Sequence, residues 1–215
     1  MIKVAPSMLA ADYTRIGEEI RRMADAGADM LHFDVMDGVF VPNISFGPDM
    51  AKAAATCGLP LDVHLMIVEP HRYLEQFAKA NPQIITIHLE ASTDVSRDLK
   101  TIRDMGIKAG LAISPDTPAD AIAPYIGQFD LLLVMTVYPG FGGQKYIPAC
   151  GQDKVASVRA LLAAAGSDAV IEVDGGINEQ TGALSAAAGA TLLVAGSAMF
   201  KAPDAKAFAD ALHAL

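Results

Sequence analysis

Short apolar runs alternate with longer amphipathic stretches along the whole chain. Eight runs stand out, at residues 4–8, 30–35, 61–67, 84–89, 109–113, 131–137, 170–173 and 192–195. They are rich in Val, Ile and Leu at successive positions, as parallel strands buried on both faces are. Between them apolar residues recur at helical spacing. Ile16, Ile20 and Met23 share one face, with Glu18, Glu19, Arg21 and Arg22 elsewhere. Leu74, Phe77 and Ala78 repeat the pattern, as do Val95, Leu99 and Ile102, and then Val155, Val158, Leu161 and Leu162. Helix starts are signalled by Pro48 after Gly47, Ser92 and Thr93 before Val95, Asn178 before Glu179, and Pro203 before Asp204. Gly27, Gly106 and Gly166 suit helix ends.

Eight strand–helix units with no linker or composition shift predict one domain over residues 1–215. Two architectures accommodate them, a (β/α)8 TIM barrel and an open doubly wound sheet. The count of eight favours the barrel, as does the lack of a G-x-G-x-x-G turn after the first strand. The longest interval between strand starts, 39 residues from Leu131 to Val170, holds Pro139-Gly140-Phe141-Gly142-Gly143. Loops that long in compact domains usually carry function.

Composition narrows the partners. With 52% hydrophobic and 19% charged residues the chain builds a sizeable core and is no disordered segment. Sixteen Lys and Arg against 25 Asp and Glu give a net charge of -9, which argues against a nucleic-acid partner. A small phosphorylated ligand stays open, because backbone N–H groups can hold one phosphate locally. Residues 182–200 carry no charge over 19 positions, but their Ala, Gly, Ser and Thr content predicts a helix, a turn and a buried strand, not a membrane span. Cys57 and Cys150 form neither a disulfide framework nor a zinc ribbon, and are expected to be inert. That cysteine usage, with no leader pattern in the first seven residues, predicts a cytoplasmic protein. A homo-oligomer is expected.

Polar residues near strand C-termini hold the chemistry, since a barrel otherwise fills its interior with apolar side chains. In His32-Phe33-Asp34-Val35-Met36-Asp37-Gly38, period-two alternation turns His32, Asp34 and Met36 away from the apolar set and into the barrel. In Leu61-Asp62-Val63-His64-Leu65-Met66 the inward set is Asp62, His64 and Met66, and in Val170-Ile171-Glu172-Val173-Asp174 it is Glu172 and Asp174. Two His and two Asp converging on one barrel mouth suit a divalent cation, of the Zn2+, Fe2+, Mn2+ or Co2+ class before Mg2+ or Ca2+. A hydrogen-bonded polar layer without metal is the alternative. Asp62 and Glu172 lie one layer deeper, as supports. His88 reads as a satisfied core histidine or a support to the cluster, and His71 and His213 as surface residues on helices.

Glycine-rich turns follow three consecutive strands: Gly140-Phe141-Gly142-Gly143, Gly175-Gly176 and Gly196-Ser197. At one barrel end these make a phosphate cradle that needs no Lys or Arg. A cation beside carboxylates, with a phosphate anchor, suits proton abstraction next to a ketone. Asp34 and Asp174 fall on the second and seventh strands, so they flank a substrate. Inverting a stereocentre needs that placement, whereas a same-face isomerase needs one base.

Six motifs in order are similar to the ribulose-phosphate 3-epimerase family: Ala5-Pro6-Ser7-Met8-Leu9-Ala10-Ala11-Asp12, His32 to Gly38 with Val41-Pro42-Asn43, Asp62 to Met66, Pro139 to Gln144, Glu172 to Gly176, and Ala195-Gly196-Ser197. The resemblance spans essentially the whole chain. It implies a β/α barrel of the ribulose-phosphate-binding type that interconverts D-ribulose 5-phosphate and D-xylulose 5-phosphate in the pentose phosphate pathway. It further implies one divalent metal ion on His32, Asp34, His64 and Asp174, with Asp34 and Asp174 as the acid/base pair. Ser7, His64, Asp174, Gly140, Phe141, Gly142, Gly143, Gly175, Gly176, Gly196 and Ser197 would contact the substrate, and Met36, Met66 and Met135 would line the site. Tyr138 receives no role. Epimerisation of a six-carbon 2-ketose phosphate is the nearest alternative. A decarboxylase on the same barrel is more remote, because it would want a lysine where His64 stands.

Overall fold

The computed structural model describes residues 1–215. Eight strands form: β1 Lys3–Pro6, β2 Leu31–Met36, β3 Leu61–Met66, β4 Ile84–His88, β5 Lys108–Ile113, β6 Leu131–Met135, β7 Val170–Asp174 and β8 Leu192–Ala195. All neighbouring strands pair in parallel, in the order β1-β8-β7-β6-β5-β4-β3-β2. The seam between β1 and β2 is spanned by a parallel bridge, Ser7 to His32, and by the Asp29 N–H donating to the Val4 carbonyl at 2.9 Å. The sheet therefore curls into the (β/α)8 barrel, and the open-sheet alternative falls away.

Helices cover the outside: α1 Ile16–Asp25, α2 Pro48–Ala55, α3 Leu74–Ala78, α4 Val95–Asp104, α5 Val155–Ala164, α6 Glu179–Ala188, α7 Ser197–Phe200 and α8 Ala205–His213. Most start where the capping residues predict. The Asn178 side chain accepts from the Gln180 and Thr181 N–H groups, and the Asp204 side chain from Ala207 N–H. One start differs: α4 is capped by Asp94, whose side chain accepts from Arg97 N–H, while Ser92 braces the turn from outside. The connection from β5 to β6 also departs from the regular pattern. It is a tight 3-10 coil at Ala119–Tyr125, because Pro124 inside it lacks the N–H that an α-helix would use. The uncharged stretch at 182–200 divides into most of α6, a turn, β8 and α7, and no helix is long and apolar enough to cross a membrane.

The outward side chains of the strands, Phe33, Val63, Leu65, Ile85, Ile87, Leu111 and Val173 among them, pack with Ile20, Met23, Leu99, Ile102, Val158 and Leu212 of the helices in the main core. The inside of the barrel is divided. Ala112, Leu131, Leu133, Met135, Leu192 and Val194 make an apolar sector from β5, β6 and β8. Opposite them His32, Asp34, Asp62, His64, Thr86 and His88 of β2, β3 and β4 are all buried, and buried Glu172 joins them from β7, where it pairs with Leu133 and Leu192. Register builds this polar sector, pairing His32 with Asp62 and Asp34 with His64 across β2 and β3, and His64 with Thr86 across β3 and β4.

Gly110 faces Thr86 across β4 and β5, and a Cβ there would lie 2.1 Å from Thr86 Oγ1. Gly110→Ala is expected to overpack the lumen and destabilise the fold by roughly 1–3 kcal/mol. A lower urea midpoint with an unchanged slope would report it, and an unchanged midpoint would count against the close approach.

Candidate active site

The floor of the site is the top of the polar sector. The His32 ring is held by Asp62, with Nδ1 2.6 Å from Asp62 Oδ2. Its Nε2 lies 3.2 Å from Asp34 Oδ1 yet has no hydrogen-bond partner. His64 brings Nδ1 to 3.0 Å from the same Asp34 oxygen. The Ser7 hydroxyl donates to the other, Asp34 Oδ2, at 2.6 Å. Asp174 reaches the group from β7, its carbonyl and that of Gly175 both accepting from the Thr136 hydroxyl, at 2.8 and 2.6 Å. One ligand atom from each of His32, Asp34, His64 and Asp174 falls within 4.8 Å of the others. Below, Asp62 and Glu172 form a second close group with His32. Asp62 is already engaged with the ring, which suits a support more than a ligand.

This donor set fits a divalent cation. With Asp62 taking the Nδ1 proton of a neutral His32, the Nε2 lone pair faces the centre with nothing to bind. Lone pairs and carboxylates then converge from three strands, and only positive charge placed among them relieves the burial.

Burial and mutual charge set the proton affinities of the cluster. Burial disfavours ionised Asp34, but the neighbouring His32 charge outweighs it and holds the carboxyl well below its usual range. Burial likewise opposes charge on His32, and Asp34 and Asp62 overcome it, raising that imidazole well above its usual value. His64 goes the other way, pushed down to about 4 by burial and by the neighbouring His88 and His32, against the pull of Asp34. Asp174 is pushed up to about 7, first by burial and then by the Asp34 charge. Burial and the nearby Asp62 push Glu172 well up. Two carboxylates with separated proton affinities thus reach one centre from β2 and β7.

Above the floor opens a cavity of about 280 Å³. Its lining includes Ser7, Asp34, Met36, Met66, Met135, Gly140, Phe141, Gly142, Gly143, Asp174, Gly175, Gly176, Gly196 and Ser197. His32 and His64 lie beneath it, fully buried. Every site residue expected from the sequence is therefore at the floor or in the wall. No Lys or Arg lines the cavity. Gly176 has a φ of +64°, and a Cβ there would come within 2.6 Å of the Tyr146 backbone nitrogen, so the turn requires glycine. The loops are tied over the mouth by Asn43 Nδ2, which donates to the Gly140 carbonyl at 2.8 Å.

Other contributors were not singled out beforehand. Leu9, Val137, Gln144 and Asn178 line the cavity, and Ser45 clamps the end of β2 by donating to the Asp34 carbonyl at 2.6 Å. Leu9 sits in a short 3-10 turn, Asn178 at the cap of α6 and the others in loops, where no periodicity marks which way a side chain points. Tyr138 lines the wall and donates to Asp116 at 2.8 Å. His88 points inward, with Nε2 2.9 Å from His64 Nε2. His71 is exposed, and His213 pairs with Asp29 at 2.8 Å. Cys150 is buried, and burial pushes its thiol up, as an inert cysteine requires.

Fold and site define a β/α-barrel protein with an acidic, histidine-rich floor under a glycine-walled pocket. The family model described as the ribulose-phosphate 3 epimerase family matches residues 3–200. The ribulose-phosphate 3-epimerase of Bacillus subtilis (strain 168) is 48% identical over 208 residues, spanning 96% of this chain and 95% of that protein. The Escherichia coli (strain K12) protein of the same name is 44% identical over 212 residues, spanning 98% and 94%. The crystal structure of phosphoribosyl anthranilate isomerase from Thermus thermophilus shares the fold, with a TM-score of 0.70 at 17% identity over 99% of both chains. The chain belongs to the ribulose-phosphate 3 epimerase family, a family of isomerases.

The pKa directions give a pH prediction. Near neutrality His32 and Asp174 hold protons that a cation must displace, whereas His64 at about 4 is already neutral. Divalent-cation affinity should therefore rise by about ten- to a hundred-fold per pH unit between about pH 5 and 7, one to two protons being released. Calorimetry in buffers of different ionisation enthalpy measures that release. A pH-independent affinity would contradict it.

Proposed function

We propose that the chain interconverts D-ribulose 5-phosphate and D-xylulose 5-phosphate, the reaction that its family membership implies. The observation that carries this reading is the convergence of His32, Asp34, His64 and Asp174 on one centre beneath the glycine-walled cavity. His32, Asp34, His64 and Asp174 would hold one divalent cation, of the Zn2+, Fe2+, Mn2+ or Co2+ class by their mix of imidazole and carboxylate. Bound there, it would supply positive charge beside the oxygens on which negative charge builds as the C3 proton leaves.

The protein's own groups do the rest. Asp34 on β2 and Asp174 on β7 approach the reacting carbon from two sides. One removes the C3 proton from one face, and the other delivers a proton to the opposite face. Whichever of the two starts ionised acts as base and the other as acid, with the roles exchanged in the return reaction. The Ser7 hydroxyl holds Asp34 by Oδ2, which keeps that carboxylate aimed into the cavity. Backbone N–H groups at Gly175, Gly176, Gly196 and Ser197, with the loop at Gly140, Phe141, Gly142 and Gly143, receive the phosphate. Met36, Met66 and Met135 form an apolar wall that excludes water from the charged intermediate.

Asp34→Asn and Asp174→Asn should each lower kcat by at least about 10²–10⁴-fold while the fold persists. Near-normal turnover in either variant would remove that residue from proton transfer. In heavy water the product should gain deuterium at C3, and full retention of the original hydrogen would point to hydride transfer.

A further inference from the structure

Behind His64 runs a chain of polar contacts that the proton transfers do not use. His64 Nε2 lies 2.9 Å from His88 Nε2, and His88 Nδ1 lies 3.0 Å from Glu90 Oε2. Glu90 Oε1 accepts from the Ser114 N–H at 2.7 Å and from the Thr117 hydroxyl. Both imidazoles are fully buried, so water supplies neither with a partner. The Phe40 ring lies against His88, with centroids 4.8 Å apart.

The direction of this chain follows from its outer end. The Ser114 N–H can only donate, and the carboxylate it meets can only accept. Burial opposes ionisation, but His88 first, and then the Thr117 hydroxyl and the Ser114 N–H, outweigh it and hold the Glu90 carboxyl down to about 2, so it is ionised. His88 must then present its Nδ1 proton to Glu90. With its proton on Nδ1, His88 turns its Nε2 to His64 as the acceptor of the pair. A single proton fits between the two Nε2 atoms, and it belongs to His64. His64 Nδ1 is consequently a lone pair, and it faces Asp34 and the common centre.

We infer that Glu90 and His88 are positioning residues, which fix the tautomer of His64 that presents its Nδ1 lone pair to the cation. The arrangement mirrors Asp62 behind His32, except that a second ring is interposed. The inference rests on the reading of the four-residue cluster as a cation site, and deepens it by giving the loop after β4 a part in that site.

Glu90→Gln is the discriminating variant. Its amide oxygen still accepts from Ser114 N–H and Thr117, so the NH2 group turns toward His88 Nδ1. Each tautomer then reverses, and a proton appears on His64 Nδ1, where the cation belongs. Zn2+ affinity, measured by competition with a chromophoric chelator, should fall by about 10- to 100-fold. Glu90→Asp shortens the side chain but keeps the carboxylate, so it should bind Zn2+ more tightly than Glu90→Gln. A purely steric role predicts the reverse order, because Gln is the closer match in shape. Ring 15N spectra of the Zn2+-loaded wild type should place the His64 proton on Nε2, and those of Glu90→Gln should show that signature lost. Glu90→Gln with wild-type Zn2+ affinity and unchanged His64 signals overturns the positioning role while leaving the cation site standing. A wild-type chain that takes up no Zn2+ overturns both.

Discussion

Burying ionisable groups inside a ring of strands costs free energy that only mutual pairing or a bound cation offsets. Here two imidazoles and three carboxylates, His32, His64, Asp34, Asp62 and Glu172, are wholly or almost wholly buried, and Asp174 closes the group from above. Their placement decides the rest. Register between β2 and β3 sets each imidazole opposite a carboxylate, so that His32 Nδ1 meets Asp62 and His64 Nδ1 meets Asp34. The apolar half of the lumen, from β5, β6 and β8, gives the polar half a low-dielectric wall. Against that wall, charge–charge interactions are strong enough to drive Asp34 and Asp174 apart in proton affinity.

The site joins two kinds of rigidity. The ionisable side chains of the floor stand on strands, whose alternation and ladder bonds fix where each points. The groups suited to phosphate are backbone atoms in turns after β6, β7 and β8, freed for close approach by glycine. The net charge of -9 is compatible with an anionic substrate because the cavity relies on backbone donors, with no Lys or Arg in its wall. Contacts such as Asn43 to Gly140 and Thr136 to Gly175 then bind the two parts together, so that the turns keep their position over the floor.

Much of this was legible in the chain. Strand positions followed from apolar runs, and the inward direction of His32, Asp34, His64, Glu172 and Asp174 followed from alternation alone. The glycine turns marked the end of the barrel at which the cavity opens. Less visible were the tight coil at Ala119–Tyr125, where an internal proline overrides the helix pattern, and the cap of α4, where Asp94 displaces the nearby Ser92. Loop residues such as Ser45, Gln144 and Asn178 carry no periodic signal, so their part in the site emerges only when distant loops meet.

The sequence by itself determined which residues face inward and at which end of the barrel the chemistry gathers, because side-chain direction on a strand is a local property with a period of two. Which of those residues touch was decided by the tertiary structure. His88 illustrates the division: alternation left it either a core residue or a support. Only the closing of β3 against β4 sets its ring against His64 and, through Glu90, against the loop after β5. Contacts between strands depend on register and barrel closure, and those are properties of the whole ring that no single segment contains.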